Sequence, residues 1–427
     1  MNKSVAIWVA VALAGAGLAA ACSAGSNNGG GGNDTEGTGA SGGASGQTTV
    51  TTGQGGSASS FGNQTSTGSG QPGCDAGPDE DKDMDGFTIN GGDCNDCDAN
   101  VNPAAIEVIA EDGQGGGGGM MEPADEDCDG EIDNVPTPCD TGIPLNTTDP
   151  FDGARAVELC KSSAGDDDWG VVSAQWVRAN GGASSQPVEQ FGVLPNFGTN
   201  VAPRAGESLL GLSSGRARTP GQPGFCGTQT CTSSAGTAPP GFPQLVCNAS
   251  PNINDDIGLE VTLRAPSNAT GYQFDFRFYS FEFAEWVCTS YNDQFIALAN
   301  PAPMGSINGN ISFDSMNNPV SVNLGFFDTC DTCSDWAAFC NTGCPPMPNP
   351  CCPAGATDLQ GSGFELDAGA TAWLQTTAPI GPLETFSLRF AIWDAGDQAL
   401  DSSVIVDNFR WIANGGTVNV GTNPVPE

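Results

Sequence analysis

Apolar and polar residues alternate one by one along three separate stretches of the chain. Leu259, Val261 and Leu263 alternate with Glu260, Thr262 and Arg264; Phe274, Phe276 and Phe278 with Asp275, Arg277 and Tyr279; Phe386, Leu388, Phe390 and Ile392 with Ser387, Arg389 and Ala391. Successive side chains of a strand point to opposite faces, so each run predicts a β-strand with one buried face. Parity breaks after Phe278, because Phe281 and Phe283 fall out of step, and this predicts a bulge near Tyr279 and Ser280. No long stretch of 149–413 holds a 3.6-residue period, and clusters of Gly, Pro, Asn and Asp separate the runs. The fold class is therefore mostly β, with a C-terminal two-sheet β-sandwich over 149–413 and a flexible tail over 414–427.

The beginning of the chain follows a different pattern. Lys3 precedes an unbroken apolar run from Val5 that closes on Ala19-Ala20-Ala21-Cys22. A short positive segment, an apolar stretch and small residues make a secretory signal over 1–21, too short for a stable membrane span. The ending resembles a bacterial lipobox, which implies lipidation of Cys22 and anchoring at the bacterial outer membrane or cell surface. Leu18 departs from that pattern by lying four residues before the cysteine, where lipoboxes place it three before. The following 22–73 is dominated by Gly, Ser, Thr, Asn and Gln, with Phe61 its only aromatic residue. So little apolar surface cannot offset the entropy of ordering, which predicts a disordered tether reaching on the order of 40 Å.

Charge narrows the chemistry. Among 427 residues, 50 Asp and Glu face 12 Lys and Arg, histidine is absent and the formal net charge is −38. Ser-His-Asp and Cys-His catalysis, histidine-ligated zinc and a histidine switch near neutral pH are excluded. Nucleic acid is excluded as a partner, since its binding depends on cationic side chains releasing counterions. Carboxylates in such excess attract hard cations, Ca²⁺ first. Of 17 cysteines, 16 remain once Cys22 is set aside, an even number that suits pairing in an oxidising compartment.

The acids concentrate in 74–140. Asp81, Asp83 and Asp85 alternate and are followed by Gly86, the first half of an EF-hand-type loop in which odd positions turn toward one ion and the glycine allows the bend. The twelfth position is Gly92 instead of Glu, and no long amphipathic helix flanks the loop. Asp93, Asp96 and Asp98 are placed to complete this site or begin another. After a glycine run at 113–119, the acids Asp125, Asp127, Asp129 and Asp133 repeat the chemistry around Gly130. Cys94, Cys97 and Cys128 lie among the acids and are disulfide candidates, giving a Cys-stapled acidic module. An unstructured acidic tract would carry the same charge without the alternation, the glycine and the cysteines together.

The order Asp-Lys-Asp-x-Asp-Gly, Gly-Asp-Cys-Asn-Asp-Cys-Asp, Val-Asn-Pro-x-Ala-x-Glu107 and Asp-Glu-Asp-Cys-Asp-Gly-x-x-Asp133 resembles the metal-binding motif of MopE-type bacterial surface proteins, akin to thrombospondin type 3 calcium repeats. The copper associated with that family is bound with histidine participation and does not carry over. Oxygen donors alone imply calcium.

Phrases in the sandwich region resemble the choice-of-anchor L domain: Trp169-Gly-Val-Val-Ser-Ala-Gln-Trp176, Leu212-Ser-Ser-Gly-Arg-Ala-Arg218, Phe274-Asp-Phe276 with Glu282 and Glu285, Tyr291-Asn-Asp-Gln-Phe295, Gly325-Phe-Phe-Asp328, and Ile392-Trp-Asp394 with Asp397 and Asp401. That resemblance implies surface attachment and no reaction. Glu282 and Glu285 are three apart, so a continuous strand sends them to opposite faces and denies a glycosidase its carboxylate pair. Asp394, Asp397 and Asp401, with Asn292 and Asp293, could ligate a second metal ion or could simply form turns. Cys330, Cys333, Cys340 and Cys344 have zinc-knuckle spacing, but export favours disulfides.

The expectation is a non-enzymatic cell-surface lipoprotein with calcium-binding acidic repeats. It would present a β-sandwich for binding or adhesion to an extracellular polysaccharide or surface protein. The alternatives are a surface polysaccharide hydrolase and a passive envelope component.

Overall fold

The computed structural model describes residues 75–109, 123–134, 137–245, 248–322, 326–330, 352, 354–413 and 416–426. The signal segment, Cys22, the tether, the glycine run and Cys333, Cys340 and Cys344 lie outside the described residues. Within them one short α-helix, α1 (Pro150–Arg155), precedes thirteen strands, and three single-turn 3-10 helices lie at Ile89–Gly91, Val188–Gln190 and Thr357–Leu359. In chain order the first five are β1 (Gly170–Val177), β2 (Phe191–Leu194), β3 (Leu209–Ser213), β4 (Ile253–Arg264) and β5 (Ala269–Ser280). Next come β6 (Gln294–Asn300), β7 (Val320–Ser321), β8 (Phe327–Cys330) and β9 (Gly369–Thr371). The last four are β10 (Leu374–Pro379), β11 (Thr385–Ala395), β12 (Ser402–Ala413) and β13 (Gly421–Pro424).

These strands build the expected mostly-β architecture of two antiparallel sheets. One has five strands in the order β1-β4-β11-β6-β7. The other has eight: β13-β10-β5-β12-β3-β2 in line, with β9 pairing to the end of β5 and β8 pairing to β9. The long β4 and β5 follow each other in the chain but belong to different sheets, so residues 265–268 turn the corner between them. Register brings large apolar residues side by side, with Leu259 opposite Phe390 and Val261 opposite Leu388 in one sheet, and Phe276 opposite Val406 in the other. Across the interior, Phe274 meets Phe390 edge-on at 4.9 Å and Phe276 meets Phe295 at 4.9 Å. Burying each such ring is worth about 2–3 kcal/mol, which explains why these runs are strands with a shared interior.

The expectation of one buried face holds for the second half of β4, where Glu260, Thr262 and Arg264 are only half-buried and Glu260 accepts from Arg389 Nε at 2.7 Å. For β5 it fails. Asp275 and Arg277 are as buried as the phenylalanines between them, because a second layer covers the outer face of the eight-stranded sheet. That layer is a separate apolar cluster that includes Leu194, Phe197, Tyr279, Leu359, Phe364 and Trp373. Beneath it Asp275 accepts from Arg204 Nε at 2.7 Å, and Arg277 donates to Asp358 at 2.7 Å and to the Thr371 carbonyl at 2.7 Å.

The predicted bulge near Tyr279 and Ser280 is corrected too. Tyr279 and Ser280 pair regularly with Ser403 and Ser402; the parity breaks because the strand ends at Ser280 and the chain enters turns. Bulges occur instead between Ile392 and Asp394 in β11 and between Asp407 and Arg410 in β12. The tail is corrected as well: 421–424 pairs with β10, and Val425 N donates to the Trp373 carbonyl at 2.9 Å.

The acidic region packs on the β4–β5 corner. Ser267 N donates to the Ala104 carbonyl at 2.9 Å, and the Asn268 side chain bonds both backbone groups of Ile106, at 3.1 and 2.8 Å. A Cys139–Cys160 disulfide closes a loop that contains α1, and Asp140 accepts from Glu207 N and Ser208 Oγ, each at 2.7 Å.

Candidate metal centres

Two loops of the acidic region share one backbone design. In the first, Asp81 accepts from Met84 N at 2.7 Å and from Gly86 N at 3.2 Å, and Asp85 accepts from Phe87 N at 2.8 Å. Met84 and Gly86 are left-handed, with φ of 68° and 101°. In the second, Asp125 accepts from Gly130 N at 3.0 Å, Asp127 from Asp129 N at 3.2 Å and Asp129 from Glu131 N at 2.8 Å, with Cys128 and Gly130 left-handed at 57° and 94°. The first, fourth and sixth positions thus play the same parts in both loops. A Cβ at position six would add strain at those φ values, which accounts for glycine there. Tying the first carboxylate to the sixth amide curls each loop, so that alternate acids share one side.

The curl brings carboxylates together. Oxygens of Asp81, Asp83 and Asp85 lie within 4.8 Å of one another, as do those of Asp83, Asp93 and Asp96. Asp93 and Asp96 are 2% and 3% exposed, so the acids after Gly92 turn back into the first loop. Asp96 also accepts from Lys82 N at 2.7 Å. In the second loop the groups are Glu107, Asp125 and Asp127, and Glu107, Glu126 and Asp133. Glu107 belongs to both and accepts from Asp127 N at 3.2 Å and Asp133 N at 2.7 Å. It and Glu126 are missing from the sequence-derived ligand set, although Glu107 closes the Val-Asn-Pro-x-Ala-x-Glu phrase that could have drawn attention to it. Asp98 and Asp129 stay outside the groups: Asp98 bonds Asn100, and Asp129 takes the Asn134 amide at 2.6 Å.

Electrostatics agrees with the geometry. Burial, ahead of every other cause, raises the carboxyls of Asp83, Asp85, Glu107, Glu126 and Asp127, and neighbouring acids add to it. Asp93 is pushed up to about 6 by burial, which the Asn95 N–H partly offsets. One oxygen each of Asp83, Asp93, Asp125 and Asp133 is buried without a hydrogen-bond partner. Such groups call for a compensating charge, and the donors are all hard oxygens.

A Cys94–Cys128 disulfide joins the two loops across 34 residues, and Cys97 is disulfide-bonded as well. Cys330 pairs with Cys352, so it sits in a disulfide and not in a thiolate metal site. Asn102 links the first loop to the sandwich. Fully buried, it donates to Asp85 at 2.8 Å and accepts from Ala104 N at 3.0 Å and Ser267 Oγ at 2.6 Å.

In the sandwich the five second-site candidates separate. Asp293 and Asp394 come together, but their third partner is Glu282. Asp397 is exposed and caps its own turn by accepting from Ala399 N at 3.0 Å. Asp401 is buried against Gly215, where an added Cβ would fall 2.0 Å from its Oδ2, and burial pushes its carboxyl up to about 7. Asn292 is buried and donates its N–H to the Ala395 carbonyl at 3.3 Å. Glu282 and Glu285 do part company, one buried and one exposed, but on a run of turns instead of a strand. Burial first, and mutual repulsion after it, hold the carboxyls of Glu282 and Asp394 far above their ordinary range; burial does the same to Asp293.

A cavity of about 370 Å³ is lined by residues that include Asn200, Arg204, Arg277, Asp358 and Trp373. Trp373 is only 4% exposed and lies under Arg204, so it offers no open face on which a sugar could stack.

Residues 206–409 match the family model of the choice-of-anchor L domain, 204 of the 427 residues. The match supports an exported, bacterial cell-surface protein and points to a surface-anchoring, non-enzymatic role. It takes in Glu282, Asp293 and Asp394 and stops short of the acidic loops. No curated protein and no solved structure matches the chain.

Proposed function

We propose that the protein is a lipid-anchored surface protein in which a calcium-ordered acidic module supports a β-sandwich that binds or adheres to an extracellular polysaccharide or surface protein. The observation that carries the metal part is the repeated loop. Twice the chain locks its first acid to the sixth amide, with left-handed residues at positions four and six, and twice it leaves buried carboxylate oxygens without partners. In the first loop Asp81, Asp83, Asp85, Asp93 and Asp96 would hold Ca²⁺; in the second, Glu107, Asp125, Asp127 and Asp133 with Glu126. The ion's role is structural: it neutralises acids that otherwise repel, and Asn102 carries that order to the β4–β5 corner. Cys22 provides the lipid anchor and 22–73 the spacer.

Calorimetric titration of the cation-stripped full chain tests the metal reading. Wild type is expected to bind more Ca²⁺ ions per chain than the D85N/D127N variant, and equal stoichiometry in the two, or no binding at millimolar Ca²⁺, would refute it. Mass spectrometry of Cys22 tests the anchor, and a glycan and surface-protein array tests the ligand.

A further inference from the structure

The sandwich contains buried acids of two kinds. Asp256 and Asp275, each with a fully buried side chain, are paired with Arg178 and Arg204. Glu282, Asp293 and Asp394 are equally buried, at 1%, 0% and 0% exposure, and no described ion pair includes any of them. A carboxylate oxygen from each lies within 4.8 Å of the other two. Glu282 commits one oxygen to Asp293 N at 3.2 Å, and Asp293 commits one to Ala395 N at 2.9 Å. Their second oxygens have no partner at hydrogen-bond geometry, although the Ser402 hydroxyl lies near Asp293, and neither oxygen of Asp394 has one. Three carboxylates therefore meet in a buried place, and four of their six oxygens lack a hydrogen-bond partner there. Burying such groups uncompensated costs several kcal/mol each, far more than the shape of one turn could repay.

We infer that Glu282, Asp293 and Asp394 form a structural binding site for a divalent cation of the Ca²⁺ class, distinct from the acidic loops. The ligand set is all oxygen, which suits a hard cation and gives soft metals no sulfur or imidazole. Its position gives the ion a task. Glu282 follows the end of β5, Asp293 precedes β6, and Asp394 lies beside the bulge near the end of β11. One ion would thus tie an end of the eight-stranded sheet to two strands of the five-stranded sheet and fix the intervening turns of 281–292. The bulge between Ile392 and Asp394 is part of the design, because it re-aims the aspartate relative to the apolar register before it.

The test uses the full exported chain, stripped of cations and equilibrated with Ca²⁺, with bound ions counted by elemental analysis. Wild type is expected to hold one more Ca²⁺ per chain than D394N or E282Q. D85N/D127N should lose its own ions and keep this one, which separates failure here from failure of the acidic-loop reading. A folded D394N that binds as many ions as wild type overturns the inference. Should both sandwich variants fail to fold, wild type decides the matter with Tb³⁺ as the probe. No tryptophan lies between 75 and 140, whereas Trp393 adjoins Asp394 in sequence. Tryptophan-sensitised emission that Ca²⁺ displaces, and that persists in D85N/D127N, supports the site; its absence overturns it.

Discussion

Replacing Asn102 with alanine isolates the connection between the acidic module and the sandwich. The Asn102 side chain makes four hydrogen bonds: to Asp85, to the Ala99 carbonyl, from Ala104 N and from Ser267 Oγ. The first involves a charged acceptor and is worth about 1.5–3 kcal/mol, and the neutral three are worth about 1 kcal/mol each. Water can re-satisfy the more exposed partners, so the loss comes to about 3–5 kcal/mol of local stability. Hydrogen exchange at the Ile106 and Ser267 amides, which bridge module and corner, should then accelerate by roughly two to four powers of ten. Exchange at Val261, deep in β4, should not change, because it opens only with the sandwich itself. Exchange measured by NMR or mass spectrometry in saturating Ca²⁺ checks this. Ile106 and Ser267 within threefold of wild type would show that the module is held on by other contacts and that Asn102 is incidental.

Three further outcomes follow from the described contacts. The double variant C94S/C128S frees a 34-residue loop and should lose about 3–4 kcal/mol of stability by the chain-entropy relation, read from the urea midpoint of the calcium-bound protein. R178A leaves Asp256 fully buried without its ion-pair partner, so it should cost about 3 kcal/mol, while changing both residues together should cost less than the sum. Burial, then the charge of Asp407, pushes Glu158 up to about 9 from its ordinary 4.5. Folding therefore takes up a proton: this contribution is complete below pH 4.5 and is lost as pH rises toward 9. E158Q should thus be stabilised relative to wild type by a margin that grows between pH 5 and 8.5, and a pH-independent margin would contradict the assignment.

The strands and the acidic loops were legible because their signals are local. Leu259, Val261 and Leu263 show period two within five residues, and Asp81 to Gly86 encodes a curl closed by a bond between positions five apart. What escaped the sequence depends on distant partners. Asp275 and Arg277 look like the wet face of a strand, and they are buried because Arg204 and Asp358, 71 and 81 residues away, arrive with a covering layer. Glu107 meets Asp125 only after the chain returns from beyond the glycine run. Glu282 follows the alternating phenylalanines closely enough to look like part of their strand, which ends at Ser280. Asp397 and Asp401 read as companions of Asp394 by proximity in the chain, but the bulge and the turn send them elsewhere.

In the lipid-anchored arrangement proposed above, the two staples at Cys94–Cys128 and Cys139–Cys160 acquire a mechanical meaning. A pull on the sandwich would then travel through 75–160 before it reached 22–73. Unstapled, the 34- and 21-residue spans between those cysteines could pay out roughly 180 Å of extended chain under load. With both closed, tension would cross 94–128 and 139–160 through covalent bridges and would load the backbone only outside them, where Asp81 to Asp93 of the first loop lie. In that arrangement the same two bonds would withhold those two spans from the length over which the sandwich could be drawn out.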